Sequence, residues 1–151
     1  MNAVAISDAI VKDLALAMKS GDKVGLSVLR MLKSDLKYKQ IELGHELSDE
    51  ECIAVLSTAL KKRSEAVESF QKAGRQDLAA AELAEIAVIK KYMPAELDDE
   101  NLLAMVRSAI AECQASTPAD IGAVMKILMP KVRGRADGRR VNELVRKSLG
   151  G

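Results

Sequence analysis

The sequence predicts an all-α protein, and three observations carry that reading. Prolines occur only at positions 94, 118 and 130, so the first 93 residues contain none. That stretch is rich in Ala, Leu, Lys and Glu, which are strong helix formers. No segment shows the sustained apolar/polar alternation of β-branched residues that marks a half-buried strand. The chain has 151 residues, 48% hydrophobic and 30% charged, with a formal net charge of +1. It is too apolar and too balanced in charge to remain disordered. A chain of this length buries about 68–70% of its unfolded surface, enough for a core. No apolar run approaches the roughly 18 residues of a membrane span, so no membrane partner is expected.

Each helix has its own signals. The first is expected over Ser7–Lys19, with Ile10, Leu14, Ala17 and Met18 as its apolar stripe and Ser20-Gly21-Asp22 ending it. The second spans Asp22–Leu43, where Val28, Leu29, Leu32, Leu36 and Leu43 recur at helical spacing and Gly44 suits the position after the last turn. Ser48-Asp49-Glu50-Glu51 reads as a capping box, in which the Ser hydroxyl accepts from the third helical amide and the Glu reaches back. The third helix therefore runs from Asp49 to Ala73, stopped by Gly74, and its seam is Ile53, Leu56, Leu60, Arg63, Val67 and Phe70. The fourth is expected over Gln76–Met93, with Leu83, Ile86, Ile89 and Met93 inward. Helices of more than 20 residues exceed about 30 Å at 1.5 Å per residue. Residues 1–93 are thus expected to form an elongated helical hairpin or bundle with long antiparallel packing.

Pro94 disfavours helix at the residue before it, which makes 94–97 a linker. A small three-helix domain is expected over 98–151. Asp98 caps its first helix, which reaches Cys113 with Leu102, Leu103, Val106 and Ile110 inward. Thr117-Pro118-Ala119-Asp120 combines a cap, a proline at the first helical position and an acid two residues later. That helix should stop at Pro130. The last should begin at Asp137 or Gly138 and end at Leu149, using Val141, Leu144 and Val145.

Few residues suggest chemistry. His45 is the single histidine and sits in a polar turn without a partner set. No GxSxG, GxxxxGK[ST] or GxGxxG motif occurs. The acidic runs 49–51 and 98–100 fall in helix first turns, where capping explains them. Cys52 and Cys113 lie far apart within helical patterns and read as core residues. No catalytic residue, metal site or cofactor is expected. The N-terminal segment is interrupted by Asp8, Lys12 and Asp13, unlike a secretory signal, and a cytoplasmic location follows by elimination.

Charge distribution is the exception to this blandness. From 126 to 147 the cations Lys126, Lys131, Arg133, Arg135, Arg139, Arg140, Arg146 and Lys147 stand against Asp137 and Glu143, eight against two, a net +6. Residues 96–120 carry six acids against Arg107, a net −5, and residues 1–93 hold 14 of each sign. Gly134 and Gly138 are expected to let the Lys131–Arg140 loop bend with positive φ. The loop opens a helix whose free amides attract anions, so it suits a phosphate backbone. The competing reading is a solvated turn whose arginines pair with the acidic 96–120 segment. With three scattered aromatic residues, Tyr38, Phe70 and Tyr92, base-stacking recognition is not expected.

Several segments carry a family resemblance. They are Leu29-Arg30-Met31-Leu32-Lys33-Ser34, Ile41-Glu42-Leu43-Gly44, Leu47-Ser48-Asp49-Glu50-Glu51, Lys72 to Leu78, Glu85 with Tyr92-Met93-Pro94, and Met129 to Gly138. Together, in order along nearly the whole chain, they resemble the YqeY family. The C-terminal unit also looks like the tail domain of GatB, a subunit of the glutamine-dependent tRNA amidotransferase. The resemblance implies a helical N-terminal domain, a three-helix tail and a contribution to tRNA binding. The kinase-like active site and metal ions of GatB belong to another domain. The family label of carbon–nitrogen ligase activity, with glutamine as amido-N-donor, therefore describes the relative rather than this chain. The resulting expectation is a non-catalytic tRNA-binding or amidotransferase-accessory protein, with the eight cations as its nucleic-acid contacts. The alternative is a protein–protein adaptor that uses the hairpin, with the cations incidental.

Overall fold

The computed structural model describes residues 5–150, and every regular element among them is helical. The chain divides into two compact units, Met1–Met93 and Pro94–Gly151.

The first unit contains α1 (Ile6–Ser20), α2 (Lys23–Leu43), α3 (Asp49–Lys72) and α4 (Gln76–Lys90). Its helix ends follow local chemistry. The Asp22 carboxylate accepts the Gly25 amide at 3.0 Å and starts α2. Gly44, at φ 77°, turns its N–H back to the Gln40 carbonyl and ends it. The Ser48 hydroxyl accepts from the Glu51 amide at 3.2 Å, while the Glu51 carboxylate accepts the Ser48 amide at 3.0 Å, closing the expected capping box. Ile10, Leu14 and Ala17 of α1, the α2 stripe Val28, Leu29, Leu32 and Leu36, Cys52, Leu56 and Ala59 of α3, and Ile89 of α4 form one core. Val67, Ala79 and Ile86 make a second, smaller cluster between α3 and α4. The most extensive packing is between α3 and α4, and the two longest helices, α2 and α3, touch only lightly.

Three details differ from expectation. Helix α4 ends at Lys90, because Pro94 disfavours helical backbone at Met93; the Tyr92 and Met93 amides close tight turns onto Ile89 and Lys90 instead. Leu83 points outward, 49% exposed. Helix α4 is apolar nearly all round, so apolar spacing does not define its face. The inward side instead includes half-buried Glu82 and Glu85, and Glu85 Oε2 lies 3.5 Å from Arg63 Nε of α3. Met18 and Leu43, near helix ends beyond the packed stripe, are also exposed.

The second unit contains α5 (Asp99–Cys113), a 3-10 turn (Pro118–Asp120), α6 (Ile121–Val132) and α7 (Gly138–Ser148). Asp98 caps α5 through the Asn101 amide at 2.8 Å. The Asp120 carboxylate gathers the Ser116 and Thr117 amides at 3.0 and 3.2 Å, and these bonds hold its pKa below the usual carboxylate value. Pro130 does not stop α6, which continues to Val132. Pro130 has no amide to donate and its ring crowds the carbonyl one turn earlier, but the residues after it keep their own amides, and the Arg133 N–H reaches the Met129 carbonyl at 2.9 Å. The core is Leu102, Val106 and Ala109 of α5, Val124, Leu128 and Val132 of α6, and Val141, Val145 and Leu149, with Leu97 added from the 94–97 segment. Leu97 is only 6% exposed, so this segment is packed at its end rather than solvated throughout.

Candidate nucleic-acid interface

The loop between α6 and α7 is built by turn chemistry. Gly134 takes φ 78°, in the left-handed region open to glycine. The Arg135 and Ala136 amides fold back onto the Val132 carbonyl at 2.8 and 3.1 Å. Gly138 does not share this role. It is the first residue of α7, has no positive φ, and a side chain there would meet nothing within 4 Å. The amides opening α7 are not all free either, because the Asp137 carboxylate accepts the Arg139 amide at 2.8 Å. An anion approaching this helix end meets a carboxylate already in the cap position.

The eight cations fall into two groups. Three are drawn onto neighbouring segments. Arg135 Nε donates to the Ala95 carbonyl at 3.3 Å, and the Arg135 carbonyl accepts the Leu97 amide at 2.7 Å. Arg140 donates from Nε and Nη2 to Asp99 Oδ1 at 3.0 and 2.6 Å. Lys131 Nζ lies 3.5 Å from Glu112 Oε2. The acidic segment thus answers part of the basic run, as the competing reading expected. The others are exposed. Arg146 donates to its helical neighbour Asn142 at 3.2 Å and keeps its charge uncompensated. Lys126, Arg133, Arg139 and Lys147 have no side-chain partner among the described residues. Spacings of three, four and eight residues put Arg139, Arg146 and Lys147 on the outer side of α7, with Glu143 between them, away from buried Val141 and Val145.

Elsewhere the candidates for chemistry have structural explanations. His45 Nδ1 lies 2.8 Å from the Glu46 carbonyl and its Nε2 3.7 Å from Glu51, on an exposed turn. The Ser48 amide holds Glu51 below the usual carboxylate pKa. Cys52 is buried and its thiol pKa is raised, chiefly by burial. No group of three or more His, Cys, Asp or Glu residues among the described ones could hold a metal ion. A hollow of about 580 Å³ opens beside Asp13, Lys19, Asp22, Lys91 and Tyr92. There the Tyr92 hydroxyl donates to Asp13 Oδ2 at 2.6 Å. A second cationic face, on α2, escaped the sequence reading because the charges of residues 1–93 cancel in sum. Its signal was local: Lys23, Arg30, Lys33, Lys37 and Lys39 stand against Asp35 alone between positions 23 and 39.

Two all-helical units, the second with a cation-bearing loop and helix, define the class of protein. The chain belongs to the YqeY family: the family described as Yqey-like protein matches residues 7–149. An uncharacterized protein of Schizosaccharomyces pombe is 34% identical over 85 residues, 56% of this chain and 69% of the relative. The protein named altered inheritance of mitochondria protein 41, mitochondrial, is 31% identical in Lachancea thermotolerans, over 72% of this chain and 59% of the relative. Its namesake in Pyrenophora tritici-repentis is 25% identical over 91% and 77%. The matches thus cover 59% to 77% of these relatives' lengths. The names of the latter two correct the cytoplasmic expectation, since both are mitochondrial proteins. Elimination failed because the lack of a secretory pattern says nothing about other destinations.

Proposed function

We propose that this chain is a non-catalytic tRNA-binding or amidotransferase-accessory protein. The observation that carries the reading is the set of exposed cations Arg133, Arg139, Arg146 and Lys147 on the α6–α7 loop and α7. Surface ion pairs are worth only about 0–1 kcal/mol, so stability is a weak reason to collect so many cations in one short stretch. A polyanionic backbone, which gains affinity with each phosphate neutralised, is a better one. The resemblance of this unit to the GatB tail supports tRNA as the polyanion. Recognition rests on phosphates and shape, in keeping with so few aromatic rings. The names of the fungal relatives support a mitochondrial setting. Electrophoretic shifts with tRNA test the reading: a complex is expected at low salt and weakens at moderate salt, and no complex at low salt would refute it.

A second reading, a protein–protein adaptor, is favoured by Tyr38, Ile41 and Leu43, which stand 76%, 72% and 39% exposed at the end of α2. Co-purification from extract with and without nuclease separates the two. A partner protein retained after nuclease, with no RNA bound, would favour the adaptor.

A further inference from the structure

The solvent face of α2 carries a line of hydrogen-bond donors. Lys23, Arg30 and Lys37 recur every seven residues, which places them about 10.5 Å apart along the axis at 1.5 Å per residue. Ser27 and Ser34 fill the intervals at spacings of four and three, so neighbouring positions on the line lie about 5–6 Å apart. Lys33 flanks it. All six residues are exposed, and none of these side chains has a partner among the described residues. Directly opposite, Val28, Leu29, Leu32 and Leu36 are buried, which fixes the orientation of the line. Of the acids on this helix, Asp35 lies off the line and Glu42 is engaged by Lys39 at 3.2 Å. Lys23, Ser27 and Arg30, with Leu26 and Met31, also line a shallow hollow of about 500 Å³ at the head of the line.

We infer that this face of α2 is a second anion-binding surface, shaped to receive the sugar–phosphate backbone of RNA. The inference deepens the RNA-binding reading and rests on it, but it involves a different unit and different residues. The complementarity is of charge and of form. The surface is a single row of donors with no acid within it, and its Lys23-to-Lys37 span, about 21 Å, matches several consecutive phosphates. An anionic bilayer is a poorer match: the exposed apolar residues of this helix, Val24 near its start and Tyr38, Ile41 and Leu43 at its end, stand at the two ends of the row, and none lies along it between Ser27 and Lys37.

The test uses the full chain and two triple variants. One is Lys23→Gln with Arg30→Gln and Lys37→Gln; the other is Arg133→Gln with Arg139→Gln and Arg146→Gln. All six positions are exposed, and circular dichroism should confirm unchanged helix content. The α2 variant is expected to lose about tenfold in tRNA affinity at low salt. Its slope of log affinity against log salt should fall by about 2–3, as for three lost phosphate contacts. Affinity within twofold of the parent chain would overturn the inference, and if the C-terminal variant lost affinity the proposed C-terminal interface would stand alone. Loss in the α2 variant with none in the C-terminal variant would support the inference and remove the C-terminal interface. Retention of the parent chain by phosphatidylserine vesicles or polyglutamate through these three residues, with tRNA affinity unchanged in the variant, would assign the face to another partner and overturn the inference.

Discussion

Arg140 and Asp99 are 41 residues apart in sequence, yet two guanidinium nitrogens of the first meet one carboxylate oxygen of the second at 3.0 and 2.6 Å. The contact joins the first turn of α7 to the first turn of α5. It also divides the basic run by role, since Arg139, one residue earlier, faces solvent without a partner.

The two arginines should therefore behave differently. Arg140→Gln removes a partly exposed pair and should cost about 0.2–1 kcal/mol in urea unfolding. It should change tRNA affinity less than Arg139→Gln, which should leave stability within about 0.5 kcal/mol and lower the salt slope by about 1. Equal effects on binding would show that the ion pair does not withhold Arg140 from RNA.

Leu97 is the apolar anchor of the segment entering the second unit. Leu97→Ala should destabilise that unit by about 2–4 kcal/mol, the usual cost of truncating a buried leucine. Denaturant unfolding followed by hydrogen exchange at Val106, Leu128 and Val145 should locate the loss in the α5–α7 core.

How far the sequence discloses the structure is clearest from paired successes and failures. The Ser48–Glu51 box, the Asp98 cap and the Gly44 stop were legible because each joins residues within four positions. Pro130 misled because a proline removes its own amide bond but not those of the residues after it, and the Arg133 N–H still closes the last turn on the Met129 carbonyl. Leu83 misled because α4 is apolar on several sides, and the face turned inward is the one that packs Ala79, Ile86 and Ile89 on other helices and sets Glu85 beside Arg63. The candidate site was legible as composition. Its division into engaged and exposed cations was not, because Asp99, Glu112 and the Ala95 carbonyl are brought to the loop only by packing of the three helices.

Tyr92 supplies a pH dependence. Burial first, then its hydrogen bond to Asp13 and the Asp13 charge, hold its pKa well above the usual tyrosine value. The folded state thus retains this proton more tightly than the unfolded chain, whose tyrosine pKa is about 10. The resulting stabilisation is fully present below about pH 10 and is lost as pH rises from there toward the raised folded value. In a Tyr38→Phe background Tyr92 is the remaining tyrosine, and its absorbance titration should have a midpoint clearly above 10. Adding Asp13→Asn should bring that midpoint down; no change would exclude Asp13 as a cause.

The Ser48 cap gives a local stability test. Ser48→Ala should cost about 1 kcal/mol by freeing the Glu51 amide at the start of α3. The depressed Glu51 pKa gives stabilisation that is present above its unfolded value, about 4.3, and is lost as pH falls through the folded value. Thermal unfolding of the parent chain and of Glu51→Gln should therefore converge in acid, and a constant difference across that range would exclude the linkage.

The C-terminal interface is tested most directly by the salt dependence of tRNA affinity for the full chain with and without Arg133, Arg139 and Arg146. The parent should bind at low salt with log affinity falling linearly against log salt. The triple Gln variant should bind more weakly, with a slope smaller by about 2–3. Equal affinity and equal slope for the two proteins, or no binding by the parent at low salt, would contradict an RNA-binding role for this face.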